Sequence, residues 1–232
     1  RGDRIAYIFQ DPQATLNPLM PVVDQVAETI ARHRGGAVRE EAEALLERVG
    51  LGGRGDARPH ELSGGQRQRV GIAMALANAP DVLIADEPTT ALDVTTQARV
   101  LDMLDDLRRD EGAALVFITH DLGVVSELCE RLVVMYAGKV VETGPTATVF
   151  AKPRHPYTKR LLECVPVLGE PERALHPIEG MPPALDDLPP GCAFAPRCPL
   201  VEDACRAGPI ALEQVATDHQ ARCRRHLELA RG

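Results

Sequence analysis

The sequence lacks several features that would place it in other classes of protein. No apolar run approaches the ~18 residues that a membrane-spanning helix needs, and no cleavable signal pattern stands at the start. No internal repeat or low-complexity tract is present. The formal net charge of -8 argues against a nucleic-acid-binding surface, because such surfaces are normally basic.

Lysine is also scarce, and the nucleotide-binding phosphate loop requires a lysine. The only lysines are Lys139, Lys152 and Lys159, and no Gly-x-x-x-x-Gly-Lys-Ser/Thr phosphate loop occurs. The chain starts with Arg1 and not with Met. What is present is ordinary for a globular protein: hydrophobic residues make up 44% and charged residues 26%. At 232 residues the chain can bury a sizeable core.

A glycine-rich turn, Ser63-Gly64-Gly65-Gln66, precedes a helical pattern. Its small side chains allow backbone N–H groups to approach a ligand closely. The N-terminus of the helix that follows favours an anion. Taken alone, the turn is explained equally well as a serine N-cap followed by flexible glycines.

Two adjacent carboxylates follow a short apolar run. Residues 82–85 are continuously apolar, as expected for a buried parallel strand. Asp86 and Glu87 come at its carboxyl end, where open α/β sheets bind ligands. One acid can hold a hard cation, which prefers oxygen ligands, and the other can orient or deprotonate a water. The alternative is a polar strand end before a Pro-Thr turn.

The turn, the acidic strand end and Ala91-Leu92-Asp93 together resemble the signature motif, Walker B motif and D-loop of ATP-binding cassette (ABC) ATPases. The resemblance implies an α/β fold: a P-loop NTPase (RecA-like) core with a parallel sheet, an inserted helical subdomain and a Pro/Cys-rich C-terminal extension. It also implies a phosphate loop ahead of these motifs. We therefore expect the chain to be a fragment whose N-terminal part is missing, and to be inactive alone.

Two further segments resemble motifs of this family. Phe9-Gln10-Asp11-Pro12 follows an apolar strand and resembles the Q-loop, and Thr119-His120-Asp121 resembles the switch histidine segment. Without the resemblance, a lone histidine there is more often structural. The resemblance implies ATP and Mg²⁺ as cofactors, with the metal held by Asp86 and Gln10. It implies that Glu87 polarises the attacking water, which His120 and Gln10 align.

The family forms head-to-tail dimers of cassettes. The resemblance implies that Ser63, Gly64, Gly65 and Gln66 contact ATP held by the partner. Asp93 is placed to cap the following helix, and the resemblance adds a role in bridging the two sites. We predict four segments: residues 1–10 as a strand leading into the Q-loop, 11–80 as the helical subdomain, 81–150 as the catalytic core, and 151–232 as the extension.

Local patterns predict the elements within these segments. Apolar residues recur at helical spacing over residues 22–30 and 38–49, with Gly50 as a C-cap. A helix is predicted over 94–109, and strands over 131–136 and 139–143 form a hairpin around Ala137-Gly138. The many prolines after Phe150 predict little regular structure.

The extension carries a second resemblance and a group of cysteines. His155-Pro156-Tyr157-Thr158 resembles the segment after the ATPase core in dipeptide, oligopeptide and nickel importers. A reducing compartment disfavours disulfides, and the tight Cys-x-x-Cys spacing of zinc sites is absent. Four thiolates also suit a 4Fe–4S cluster, and the family's Gly-Cys-x-Phe-x-Pro-Arg-Cys pattern is associated with one. A mixed zinc site with His219 and His226 remains open. The candidate ligands are Cys192, Cys198, Cys205 and Cys223.

The leading interpretation is the ATPase subunit of a peptide importer, peripheral on the cytoplasmic face of the inner membrane. The implied partners are a second ABC ATPase subunit, two membrane permease subunits and, indirectly, an extracytoplasmic substrate-binding protein, with no nucleic acid. One alternative is a catalytically incomplete partner that donates only its signature turn. Another is a soluble ABC ATPase of DNA repair or translation.

Overall fold

The computed structural model describes residues 4–11, 15–35, 38–90, 92–165 and 177–229, without the side chains of residues 107 and 111. Pro12 of the predicted Q-loop and Ala91 of the predicted D-loop lie outside these residues. The chain forms two compact units, Arg1–His120 and Asp121–Gly232. Within the described ranges, no helix has the length and apolar character needed to cross a bilayer.

The first unit contains a parallel sheet of β1 (Ile5–Ile8), β2 (Val82–Asp86) and β3 (Ala114–Ile118), with β2 in the middle. Side chains alternate between the two faces of a strand. One face, including Ala6, Ile8, Leu83 and Ala85, is buried in the core. The parallel core predicted from the sequence is confirmed, and the carboxyl ends of all three strands lie at one edge of the sheet.

Helices surround this core in the first unit, and their bounds are Val22–Arg34 (α1), Arg39–Arg48 (α2), Gly64–Leu76 (α3) and Val94–Glu111 (α4), with a short 3-10 helix at Pro59–Glu61. The helical spacing predicted for α1 is confirmed, since Val22, Val26 and Ile30 are fully buried. Gly50 ends α2 with φ +69°, and its N–H donates to Glu47 O at 2.8 Å. This is the predicted glycine C-cap.

The second unit contains an antiparallel sheet of strands β4 (Arg131–Tyr136), β5 (Lys139–Pro145), β6 (Glu213–Ala216) and β7 (His219–Ala221), in the order β4-β5-β7-β6. Ala137 and Gly138 both have positive φ, 47° and 74°, as a type I′ hairpin turn requires. Its helices are α5 (Leu122–Leu128), α6 (Thr146–Ala151), α7 (Pro156–Glu163), α8 (Asp203–Arg206) and α9 (His226–Leu229), with a 3-10 helix at Ala195–Arg197.

The expectation of little regular structure after Phe150 is wrong for the β6–β7 hairpin. Strand β7 pairs with β5, with Glu142 opposite Ala221 and Thr143 opposite Gln220. Backbone groups along the second edge of β5 need partners, and the hairpin supplies them although β6 and β7 are short and polar. The predicted boundary after residue 150 therefore separates strands that pair with each other, and the four-segment division stays a prediction.

Candidate functional site

Asp86 and Glu87 stand at the carboxyl end of the central strand. Asp86 is the last residue of β2, and the Glu87 N–H donates to Ile118 O at 2.9 Å. Glu87 then adopts φ +44°, a left-handed conformation that is sparsely populated and costs of order 1 kcal/mol or more for a residue with a Cβ. The Thr90 N–H donates back to Glu87 O at 3.1 Å, so a tight turn begins directly at the acid.

The Glu87 carboxylate collects side chains from both neighbouring strand ends. Gln10 Nε2, just after β1, donates to Glu87 Oε2 at 2.8 Å. His120 Nδ1, just after β3, lies 3.1 Å from Glu87 Oε1. The structure thus brings together the three side chains that the sequence analysis placed around the attacking water, while their chemical roles stay predictions.

Thr90 is a contact of Glu87 that the sequence analysis missed. Its hydroxyl donates to Glu87 Oε2 at 2.8 Å. A Thr hydroxyl three residues after an acid in a tight turn was the available signal. Hydrogen bonds from His120 and Thr90 lower the pKa of the Glu87 carboxyl. Glu87 is therefore ionised at neutral pH, as a residue that accepts a proton from water must be.

Asp86 also has a partner that the sequence analysis missed. Tyr7 Oη donates to Asp86 Oδ2 at 2.5 Å. Tyr7 pairs with Ile84 in the parallel register, so Asp86 lies two residues further along the same face of the sheet. A carboxylate has several acceptor sites, so this hydrogen bond still leaves acceptor sites for a hard cation.

The Ser63–Gln66 turn forms the N-terminus of α3. The Gln66 N–H donates to Ser63 Oγ at 3.3 Å, and the Ser63 N–H donates to Gln66 Oε1 at 2.9 Å. This reciprocal pair is a capping box. A Cβ at Gly64 would meet nothing within 4 Å, whereas a Cβ at Gly65 would lie 2.4 Å from Thr96 Cγ2. Gly64 is therefore open on its side-chain face, and Gly65 is required for close packing.

Asp93 caps α4, as predicted. Its two carboxylate oxygens accept from the Thr96 N–H at 3.0 Å and from Thr96 Oγ1 at 2.7 Å. These hydrogen bonds lower the pKa of Asp93. Thr96 therefore contacts both the capping acid and Gly65, and so joins two segments of the predicted nucleotide site. The bridging role of Asp93 between two cassettes stays a prediction.

We expect Gly65→Ala to destabilise the first unit by about 1–3 kcal/mol, because the new methyl group overlaps Thr96 Cγ2. Gly64→Ala is the matched control and should be neutral or slightly stabilising. The double variant Gly65→Ala/Thr96→Ser should recover the lost stability, because serine lacks the clashing methyl group but keeps the hydroxyl that donates to Asp93. Urea unfolding measures all three variants. Equal stability of the two alanine variants would contradict the packing argument.

The candidate cysteines converge in the second unit. Cys192, Cys198, Cys205 and Cys223 line one cavity, together with residues that include His155, Leu200 and Ile210. All six cysteines of the chain carry free thiols. The four cysteines therefore line one cavity although their positions span 32 residues of sequence, and their role as metal ligands stays a prediction.

One backbone N–H group is hydrogen-bonded to these sulfurs: the Arg225 N–H donates to Cys223 Sγ at 3.3 Å. The backbone N–H groups of Phe194 and Leu200 act to lower the pKa of Cys192 and of Cys198. Burial nevertheless raises the pKa of these three thiols, that of Cys223 to about 12. Thiolates there need a compensating positive charge, which a metal group would supply as it releases the protons.

The histidines near the cysteines are arranged differently from the prediction. His219 Nε2 lies 2.8 Å from Glu142 Oε1, and both side chains are fully buried. His219 is not among the residues that line the cysteine cavity, and the mixed Cys/His site that includes it stays a prediction. The histidine at the cavity is His155, and burial lowers its pKa to about 4. Across the described ranges, no set of three or more His, Cys, Asp or Glu side chains is arranged to hold a metal ion, with or without His226.

Comparisons with known proteins agree along the chain. Residues 1–90 match the family model described as ABC transporter, and residues 141–205 match that described as oligopeptide/dipeptide transporter, C-terminal region. The chain is 49% identical to a putative peptide import ATP-binding protein of Brucella ovis, over 99% of this chain and 72% of that protein. It is 47% identical to the dipeptide transport ATP-binding protein DppD of Escherichia coli, over 96% and 70%.

Other relatives cover less of their own length or only part of this chain. The oligopeptide transport ATP-binding protein OppD of Mycobacterium tuberculosis is 52% identical over 100% of this chain and 39% of that protein. Among solved structures, the ATP-binding cassette MJ0796 has a TM-score of 0.57 and 34% identity. The match covers 63% of this chain and 64% of that one, in a dimer described as a post-hydrolysis state with ADP and Pi.

Proposed function

The chain belongs to the ATP-binding cassette family of oligopeptide and dipeptide transport ATPases, and we propose that it binds and hydrolyses ATP in a peptide importer. The observation that carries this proposal is the meeting of Gln10, Glu87 and His120 at the carboxyl ends of adjacent parallel strands. Phosphoryl transfer requires mainly positioning and charge stabilisation. An ionised acid held by an amide, a hydroxyl and an imidazole fits that requirement.

The proposed roles follow from the hydrogen-bond donors and acceptors of the candidate site. Glu87 accepts a proton from the attacking water, and Gln10 and His120 align that water from the two sides of the carboxylate. Asp86 and Gln10 would supply the oxygen ligands that Mg²⁺ prefers, and the ion held there would neutralise charge on the phosphates. Tyr7 and Thr90 hold the two acids in place through their hydroxyl groups.

The signature turn serves the ATP of a second cassette in a head-to-tail dimer. The open side of Gly64 and the N-terminus of α3, a position that favours an anion, support this role. Ser63, Gly65, Gln66 and Asp93 complete that surface. The remaining partners are two membrane permease subunits, reached through the segment after Gln10, and indirectly an extracytoplasmic substrate-binding protein. The proposed location of the chain is accordingly the cytoplasmic face of the inner membrane.

A second candidate is a subunit that donates its signature turn without hydrolysing ATP itself. Its support is the signature turn itself, whose capping box at Ser63 and open side at Gly64 form without any contact with Glu87. In that case Ser63 is needed for transport and Glu87 is not. The two candidates therefore differ in the effect of one substitution.

The test is uptake of a labelled dipeptide by cells in which the gene is deleted and then replaced. The deletion should abolish dipeptide uptake and leave uptake of free amino acids intact. If the chain hydrolyses ATP, genes carrying Ser63→Arg or Glu87→Gln should both fail to restore uptake. If the chain only donates its signature turn, Glu87→Gln should restore it. Unchanged dipeptide uptake in the deletion, with loss of Ni²⁺ uptake, would contradict peptide import.

The four cysteines of the second unit are proposed to hold a 4Fe–4S cluster. Their shared cavity and the Arg225 N–H directed at Cys223 Sγ support thiolate ligands. A bound cluster would supply cross-links between residues 192–205 and Cys223, and one-electron redox capacity.

A further inference from the structure

Cys192 and Cys205 approach each other closely in the second unit. The Cys192 N–H donates to Cys205 O at 2.8 Å. A Cβ added at the neighbouring Gly191 would lie 2.2 Å from Cys205 O and 2.9 Å from Arg206 Cα, so the two segments touch without space for a side chain. A backbone hydrogen bond of this kind keeps the Cα atoms of its two residues roughly 5–6 Å apart. Cα atoms at that separation are within the range of natural disulfides.

The side chains of the two residues share a cavity. Cys192 and Cys205 line it together with Cys198 and Cys223, and all four are free thiols. Across the described ranges, the hydrogen bond between Cys192 and Cys205 is the only backbone hydrogen bond that joins two of these four cysteines. A disulfide requires close Cα atoms and side chains that do not point apart. The observed contacts meet both requirements for the pair Cys192 and Cys205.

We propose that Cys192 and Cys205 form an oxidation site, at which hydrogen peroxide converts the two thiols of the metal-free chain to a disulfide. One thiol is first oxidised to a sulfenic acid, and the second thiol attacks that sulfur. Two S–H bonds and the O–O bond break, and one S–S bond forms. The two electrons that the sulfurs lose reduce the peroxide to two molecules of water. Thiol reductants reverse the step by thiol–disulfide exchange.

The disulfide does not depend on the proposed cluster, but it affects what the cavity can hold. It uses two of the four thiols that line the cavity. A metal group binds the thiolate and not the disulfide form of cysteine. The oxidised chain therefore retains only Cys198 and Cys223 as cavity thiols, and peroxide and a bound metal group compete for the same sulfur atoms.

The experiment uses the full chain, freed of bound metal by a chelator, reduced, and then exposed to hydrogen peroxide. Remaining thiols are alkylated, and the chain is digested with trypsin and a protease that cleaves after glutamate. Cleavage after residues 197, 202, 206 and 222 places the four cavity cysteines on separate fragments. In mass spectrometry, the fragments linked through Cys192 and Cys205 should be about tenfold more abundant than those that link Cys192 to Cys198 or Cys223. Dithiothreitol should restore both thiols.

Two comparisons test whether the folded geometry directs the pairing. In concentrated urea, Cys192 should no longer prefer Cys205, because unfolding removes the hydrogen bond between them. Cys205→Ser should leave Cys192 without its disulfide, and Cys164→Ser, which changes a cysteine outside the cavity, should keep it. A Cys192 that stays unlinked in the oxidised wild-type chain would overturn the inference, and so would a preference for another partner. This wild-type result decides the question even where Cys205→Ser does not fold.

Discussion

Glu87→Gln, introduced into the gene, should lower ATP turnover by the assembled transporter by about 10²–10⁴-fold, the usual contribution of a general base. The amide has nearly the same shape but accepts no proton from water. Gln10 and Thr90 can still donate to its carbonyl oxygen, so the site should remain assembled. We therefore expect ATP-bound dimers to persist in the variant, measured by size-exclusion chromatography with radiolabelled ATP.

The matched control for this substitution is Glu127→Gln. Glu127 is an exposed residue on α5 and undergoes the same chemical change. Its turnover should stay within about twofold of wild type, since surface substitutions away from a site have small effects. Wild-type ATP turnover in Glu87→Gln would show that Glu87 is not the general base. Loss of both turnover and ATP-bound dimers would indicate a role in assembly.

Glu142→Ala should destabilise the second unit by about 3–5 kcal/mol, because a buried donor that loses its acceptor costs about 1–3 kcal/mol and Glu142 accepts from several donors. Glu142 is fully buried on β5, and it accepts from His219 Nε2 at 2.8 Å. It also accepts the N–H groups of Arg154, at 2.6 Å, and His155, at 2.9 Å. The substitution leaves two buried donors and one half-buried donor unpaired, each with a desolvation cost.

The measurement is urea unfolding of the metal-free chain, followed by tyrosine fluorescence, since Tyr136 and Tyr157 lie in the second unit and no Trp is present. Asp218→Asn is the control. Arg131 Nη1 lies 2.5 Å from Asp218 Oδ2 and also joins β4 to the β6–β7 hairpin, but this pair is exposed. Its loss should cost less than about 1 kcal/mol. Equal effects of the two substitutions would contradict the importance of burial.

The sequence predicted the elements that local patterns determine. Helical spacing identified α1, and Gly50 marked the end of α2 because a left-handed C-cap favours glycine. The resemblance to ABC ATPases implied that Gln10, Glu87 and His120 act together, and the parallel strands, whose carboxyl ends share one sheet edge, explain why they meet. These predictions required no knowledge of contacts between specific side chains.

The missed features depend on contacts between distant residues. Tyr7 reaches Asp86 across 79 positions of sequence, and His219 reaches Glu142 across 77. Neither contact leaves a local pattern. The β6–β7 hairpin was missed because its short, polar strands show no clear alternation and owe their pairing to the edge of β5. His155 was noticed only through a resemblance, since its position at the cavity depends on tertiary packing.

The pairing of β5 with β7 has a consequence for biosynthesis. Roughly 70 residues separate the end of β5 at Pro145 from the start of β7 at His219. At about 5–20 residues per second, the ribosome leaves the β5 edge without its partner for roughly 4–15 seconds. Unpaired edges promote association between chains. The nascent second unit is therefore most exposed to aggregation in this interval, and slow translation of the proline-rich segment would lengthen it.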